Sequence, residues 1–375
     1  MALPPARITD TRAGSGLPNA GSTLGAGGTL NVQVEGAGGV PTSGVSAVVL
    51  KVAATNVTSS SYVTLYPEGG TLPTVANLNT TPGNTVSNLV TVGVSSAGGV
   101  TVYNNSGSVD IVVDVEGYYT TTVGSSGLYD AITPYRTLGT AAAGLLMAGG
   151  VSQEVSVAGA ATGIPSDAEA VVLNLTASEG SAASFLTAYP YGSSKPTAAN
   201  LNFGAGQVIG NRVTVPVGAK GAIDVYNNSG DVRIDVDLDG YYTGSATETG
   251  SGFVPLASPV RLVDTRTSTG GTTLASDASE IFSFASDTSI LADAIAVAGN
   301  VTIVAGNAPG FLTVFPTTDT TPPLAADVNW APNGIVPNFT VVPLNASSTE
   351  LFNSNGAPAN VVIDAFGYFG PAVAT

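Results

Sequence analysis

Apolar and polar positions alternate at period two along most of the chain. Thr29-Leu-Asn-Val-Gln-Val-Glu35, Gly99-Val-Thr-Val-Tyr103 and Val109-Asp-Ile-Val-Val-Asp-Val115 are clear cases, rich in β-branched residues. That period, with turn signals at Pro82-Gly83, Gly98-Gly99, Asn105-Ser-Gly107 and Asn333-Gly334, predicts short strands joined by tight turns. Only Ala141 to Ala148 suggests an amphipathic helix. The longest apolar runs, such as Val45 to Ala54, fall far below the ~20 residues that span a bilayer.

The pattern recurs. Ser61-Tyr-Val-Thr-Leu-Tyr-Pro67 returns as Ser184-Phe-Leu-Thr-Ala-Tyr-Pro190 and Gly310-Phe-Leu-Thr-Val-Phe-Pro316. Ala76-Asn-Leu-Asn79 returns as Ala199-Asn-Leu-Asn202 and Ala326-Asp-Val-Asn329, and Asn88-Leu-Val-Thr-Val92 as Asn211-Arg-Val-Thr-Val215 and Asn338-Phe-Thr-Val-Val342. Each copy closes alike, with Asp114-Val-Glu-Gly-Tyr-Tyr119, Asp237-Leu-Asp-Gly-Tyr-Tyr242 and Asp364-Ala-Phe-Gly-Tyr-Phe369. Pro5-Ala-Arg-Ile-Thr-Asp-Thr-Arg12 opens the first copy and Pro259-Val-Arg-Leu-Val-Asp-Thr-Arg266 the third, whereas the second keeps only Pro134-Tyr-Arg136. A period near 120 residues exceeds that of a solenoid. The expectation is therefore all-β, with three tandem β-sandwich-like domains at 1–121, 127–244 and 252–375, joined by short Gly/Ser/Thr linkers. A closed barrel is the second choice.

Composition narrows the chemistry. The 375 residues include no His and no Cys, which removes imidazole proton shuttles, thiolate nucleophiles, disulfides and the usual zinc and iron–sulfur ligands. Ten basic against 26 acidic residues give a net charge of −16, which argues against a nucleic-acid partner. Repeat by repeat the charge runs from −3 (three basic, six acidic, residues 1–124) through −5 (five and ten, 125–247) to −8 (two and ten, 248–375). The sparse charge and the gradient lead us to expect a multi-copy assembly that docks mainly through the first repeat. The opening residues lack a basic and apolar leader, so neither a secretory signal nor membrane insertion is expected.

Two charges recur three times. Arg7, Arg136 and Arg261 share one position, and Asp114, Asp237 and Asp364 another, so the residues predict an arginine–carboxylate clamp between first and last strands. The competing reading makes the aspartate a general acid or metal ligand. Asp10-Thr-Arg12 and Asp264-Thr-Arg266 read as turn chemistry. Asp235-Val-Asp-Leu-Asp-Gly240 starts like a calcium loop but has Ala246 where the closing Glu belongs. Asp235, Asp237 and Asp239 are thus a weak calcium candidate, and no cofactor is expected. Trp330, the sole tryptophan, stands where the other copies have Thr80 and Phe203, and reads as a loop contact for a glycan or partner. The recurrent Asn residues, such as Asn77 and Asn79, read as ties from loops to backbone.

Taken together, Pro-x-Arg-x-x-Asp-Thr-Arg, Asn-Leu-Asn and Asp-x-x-Gly-Tyr-Tyr resemble a repeat of actinobacterial surface proteins and of actinophage structural proteins. The resemblance covers nearly the whole chain and brings no catalytic residues with it. It implies a non-enzymatic structural protein of a virion, as capsid decoration, minor tail or fibre protein, made in a host cytoplasm and displayed outside it. Its partners would be other copies, neighbouring virion proteins and a host-surface glycan. The alternatives are a secreted or cell-surface adhesion module for wall polysaccharide, and a carboxylate-based glycoside hydrolase with two facing carboxylates.

Overall fold

The structure, a computed structural model, describes residues 1–121, 127–140, 144–244, 250–354 and 357–371. The first repeat supplies eight strands: β1 (Ala2–Asp10), β2 (Thr29–Gln33), β3 (Val45–Thr55), β4 (Ser61–Pro67), β5 (Leu78–Thr80), β6 (Val86–Gly93), β7 (Gly99–Asn104) and β8 (Asp110–Thr120). They form two antiparallel sheets, ordered β1-β8-β3-β6 and β2-β7-β4-β5. The second repeat repeats the plan from β9 (Tyr129–Gly139) to β16 (Arg233–Tyr242), and the third from β17 (Gly252–Asp264) to β24 (Asn360–Gly370).

The expected architecture needs correction. Six four-stranded antiparallel sheets are arranged as the six blades of a β-propeller, two blades from each repeat, and not as three tandem β-sandwich-like domains or a closed barrel. The physical reason lies in both faces of β3. Val48, Leu50, Val52 and Ala54 pack into the core shared by the two sheets of their own repeat. On the opposite face, Ala47 and Val49 are buried with Ala170 and Val172 of the second repeat and Ala296 and Ala298 of the third. An isolated domain would leave that face in water. Here it forms a fourth core on the axis around which the repeats gather, and Leu89, Phe339, Tyr242, Phe253 and Phe369 complete it. Burying each such side chain contributes roughly 1.5–3 kcal/mol, so this core dominates the attraction between repeats.

At one end of the axis the closing aromatics meet. The rings of Tyr119 and Tyr242 lie 6.0 and 6.4 Å from Phe369, and the two tyrosine hydroxyls hydrogen-bond to each other. The glycine of the closing motif makes room for this cluster. A Cβ at Gly240 would sit 2.2 Å from the Tyr129 hydroxyl, and one at Gly367 would sit 2.3 Å from Cζ of Phe253. Both rings press against the glycines of the neighbouring strand.

Of the expected helix, Ala141 to Ala143 lie outside the described residues. Gly144 to Ala148 are not helical, and Met147 bridges Val232 instead. Residues 122–126 and 245–249 of the expected linkers also lie outside the described residues.

Because the repeats share a core, the chain is expected to unfold as one cooperative unit. Scanning calorimetry should give a single transition whose calorimetric and van't Hoff enthalpies agree. Three separable transitions would mean that the axial core does not couple the repeats.

Candidate functional site

The recurrent charged and amide residues converge where one repeat meets the next. Antiparallel pairing of β1 with β8 sets Arg7 opposite Asp114, and the same register sets Arg136 opposite Asp237 and Arg261 opposite Asp364. In each pair the guanidinium Nε donates to Oδ1, at 2.7, 2.7 and 2.8 Å, and Nη2 donates to Oδ2, at 3.2, 2.9 and 3.1 Å. The carboxylates are buried, while the guanidinium side chains stay 24–32% exposed.

The clamp carboxylate also faces the next repeat. Asp237 Oδ2 accepts the backbone N–H of Ala326 in the third repeat at 3.0 Å, and Asp364 accepts that of Ala76 in the first. Beside it, Asn174 Nδ2 donates to the Ala326 carbonyl at 2.5 Å, and Asn300 Nδ2 donates to the Ala76 carbonyl at 2.8 Å. The Ala-Asn-Leu-Asn motif is therefore a docking loop for the preceding repeat's clamp. Its shape is held from within: Asn77 accepts from Leu65 N–H at 2.7 Å, Asn200 from Ala188 N–H at 2.8 Å, and Asp327 from Val314 N–H at 2.7 Å.

A third recurrent asparagine completes the joint. Asn88, Asn211 and Asn338 each donate to the backbone carbonyl of the motif residue in their own repeat, Asn77, Asn200 and Asp327. Asn88 also donates to Asn300 Oδ1 at 2.8 Å and accepts from the Phe339 N–H at 2.8 Å. Asn338 donates to Asn174 Oδ1 at 2.9 Å and accepts from the Arg212 N–H at 3.2 Å. The second repeat is thereby joined to the third, and the third to the first.

The joint between first and second repeats uses different chemistry. Register places Lys51 where the others have Asn174 and Asn300. Its Nζ lies 3.9 Å from Asp114, and burial lowers its pKa, against the pull of that carboxylate. Glu116 accepts from Asn200 Nδ2 at 2.6 Å, while its other oxygen is buried without a hydrogen-bond partner. Burial pushes Glu116 up to about 8, aided by the charge of Asp114 and opposed by Lys51. Near the axis Arg212 is fully buried where the other repeats have Leu89 and Phe339, and it forks between Asp239 and Asp327. Burial likewise raises the Asp239 carboxyl, opposed by the charge of Arg212.

The calcium candidate is thus divided among other partners. Asp235 lies 3.4 Å from Arg136 Nη1, Asp237 sits in the clamp, and Asp239 pairs with Arg212. Among the described residues, no group of three or more carboxylates is placed to hold a metal ion. Asp10 and Asp264 sit in the turns that the sequence suggests. Each accepts the backbone N–H and the guanidinium of the arginine two residues on, which holds both carboxyls below their ordinary range.

Trp330 requires a correction. It is not on a loop surface: it ends the strand Val328–Trp330, is buried, and donates from Nε1 to the Ala308 carbonyl at 3.2 Å. Thr80 and Phe203 are buried at the same position. The larger indole fits because Gly310 stands opposite it, where Ser61 and Ser184 face Thr80 and Phe203. A Cβ at Gly310 would lie 2.6 Å from the indole ring. Trp330 instead forms part of the wall of a cavity of about 420 Å³, where all three repeats meet. Of the recurrent motifs, Leu78, Asn79 and Asn329 of the Asn-Leu-Asn copies and the joint residue Asn88 line it.

Comparison with protein-family models and with curated proteins gives no match.

The buried Glu116 carboxyl sets an expected pH dependence. It holds its proton more tightly folded than unfolded, where 4.5 is the ordinary value. Its stabilising contribution is complete below that value and is lost as pH rises towards about 8. Melting temperature should fall between pH 5 and pH 8, and Glu116→Gln should flatten part of that slope. A slope unchanged in Glu116→Gln would show that this carboxyl does not carry it.

Proposed function

We propose that the chain is a non-enzymatic structural protein displayed on a virion, as capsid decoration, minor tail or fibre protein. The observation that carries the non-enzymatic part is where the recurrent ionic groups go. Arg7, Arg136 and Arg261 are engaged by Asp114, Asp237 and Asp364, and two of those carboxylates accept a backbone N–H of the next repeat as well. Groups spent on closing a ring are not free to move protons in a cleft. The placement on a virion rests on the resemblance of the repeat motifs to actinophage structural proteins. A body closed on itself through a shared axial core also suits display, because the core holds the three repeats as one rigid unit.

The test has two arms. Mass spectrometry of purified particles should find the chain as a stoichiometric component, and incubation with purified wall polysaccharide should release no reducing ends. Finding the chain only in the secreted or wall fraction would favour the adhesion reading. Release of reducing ends that is lost in Asp235→Asn would favour a hydrolase.

A further inference from the structure

The three strands nearest the axis, β6, Ile209–Pro216 and Ile335–Pro343, begin around the 420 Å³ cavity and descend together. Burial deepens in step along each. Thr85, Val208 and Ile335 are exposed, Val86, Ile209 and Val336 are half-buried, and Asn88, Asn211 and Asn338 are fully buried. The cavity is therefore a funnel that narrows from exposed side chains to the buried amide of Asn88.

Its mouth is not three-fold. The first repeat contributes Asn79, Thr81 and Asn84, whereas the third contributes Trp330, Pro332 and Ile335. The second supplies one of each kind, Gln207 and Val208. Val208 is 49% exposed and Ile335 56%, a cost in water that their own folding does not require. Among the described residues, none that lines the funnel is charged.

We propose that this funnel binds one small, neutral, amphipathic molecule. Its apolar portion would lie against the Val208–Ile335–Trp330 side, and its hydrogen-bonding portion against the amides of Asn79 and Asn84. The volume falls within the range of small-molecule sites, about 300–1,000 Å³. An uncharged wall disfavours an ionic ligand, because nothing there offsets the loss of its hydration. The two-sided mouth disfavours a three-fold symmetric partner seated on the axis. Unlike the reading of the chain as a virion protein, this site does not depend on where the protein is displayed.

Because Trp330 is the sole tryptophan and lines the site, its fluorescence reports occupancy directly. The full chain would be titrated with n-hexyl β-glucoside below micellar concentrations, with glucose and hexanoate in parallel. The expected result is a saturable change with one equivalent of the glycoside, and at least about tenfold weaker binding of glucose and of hexanoate. Val208→Asp and Ile335→Asp alter exposed side chains, so melting temperature should hold while glycoside affinity falls by about tenfold or more. Absence of a saturable change would overturn the proposal. So would equal affinity for glucose or hexanoate, or binding indifferent to both substitutions in folded protein.

Discussion

The whole arrangement depends on a carboxylate with two obligations. Within its repeat it accepts a bidentate guanidinium, which fixes the register of the first strand against the last. Across the joint, Asp237 and Asp364 accept the backbone N–H of Ala326 and Ala76. A buried charge satisfied from one side only would be costly, so clamp and docking loop require each other. Each such hydrogen bond to a carboxylate contributes roughly 1.5–3 kcal/mol net, less than the summed apolar burial along the axis. The axial core accordingly supplies the attraction between repeats, and the carboxylate–amide joints decide the angle and register at which they close.

Much of this was legible in the residues, and the reason is repetition. A cation and an anion that recur three times in a chain with little charge point to each other, and Arg7, Arg136 and Arg261 do reach Asp114, Asp237 and Asp364. The recurrent asparagines do tie loops to backbone, as at Leu65 and Ala188. The second half of their role was hidden, because Asn88 and Asn300 stand 212 positions apart and no local period connects them. The blade arrangement was hidden for a different reason. Period two shows that alternate residues face different sides, but it does not say what covers the second side. The signal present was the nearly unbroken apolar run Val45 to Ala54, which is how a strand buried on both faces reads. At Trp330 the variation in size across the repeats reflects compensation and not exposure, because Gly310 across the strand pair makes room for the indole.

The departures from the repeat are as informative as the repeat itself. Lys51 beside Asp114 at one joint, and Arg212 between Asp239 and Asp327 near the axis, stand where the other repeats have asparagine and the apolar Leu89 and Phe339. Buried ion pairs add little net stability compared with well-packed apolar groups, but they penalise wrong pairings heavily. Three similar units could close in a wrong order or with another chain. A joint in which Glu116 accepts from Asn200, and Arg212 reaches Asp327, Thr340 and the Phe339 carbonyl of the third repeat, distinguishes the correct neighbour from the others. The same divergence reaches the mouth of the funnel, where three equivalent positions became two-sided.

The central claim is that the last repeat closes back onto the first through its buried amides. A double-mutant cycle between Asn88 and Asn300, measured by denaturant unfolding of the full chain, tests it most directly. Each Asn→Ala change should destabilise the protein, and the double variant should be more stable than the sum predicts, with a coupling of about 1 kcal/mol or more. Additive effects, with coupling below about 0.3 kcal/mol, would show that the first and third repeats are not joined at this contact.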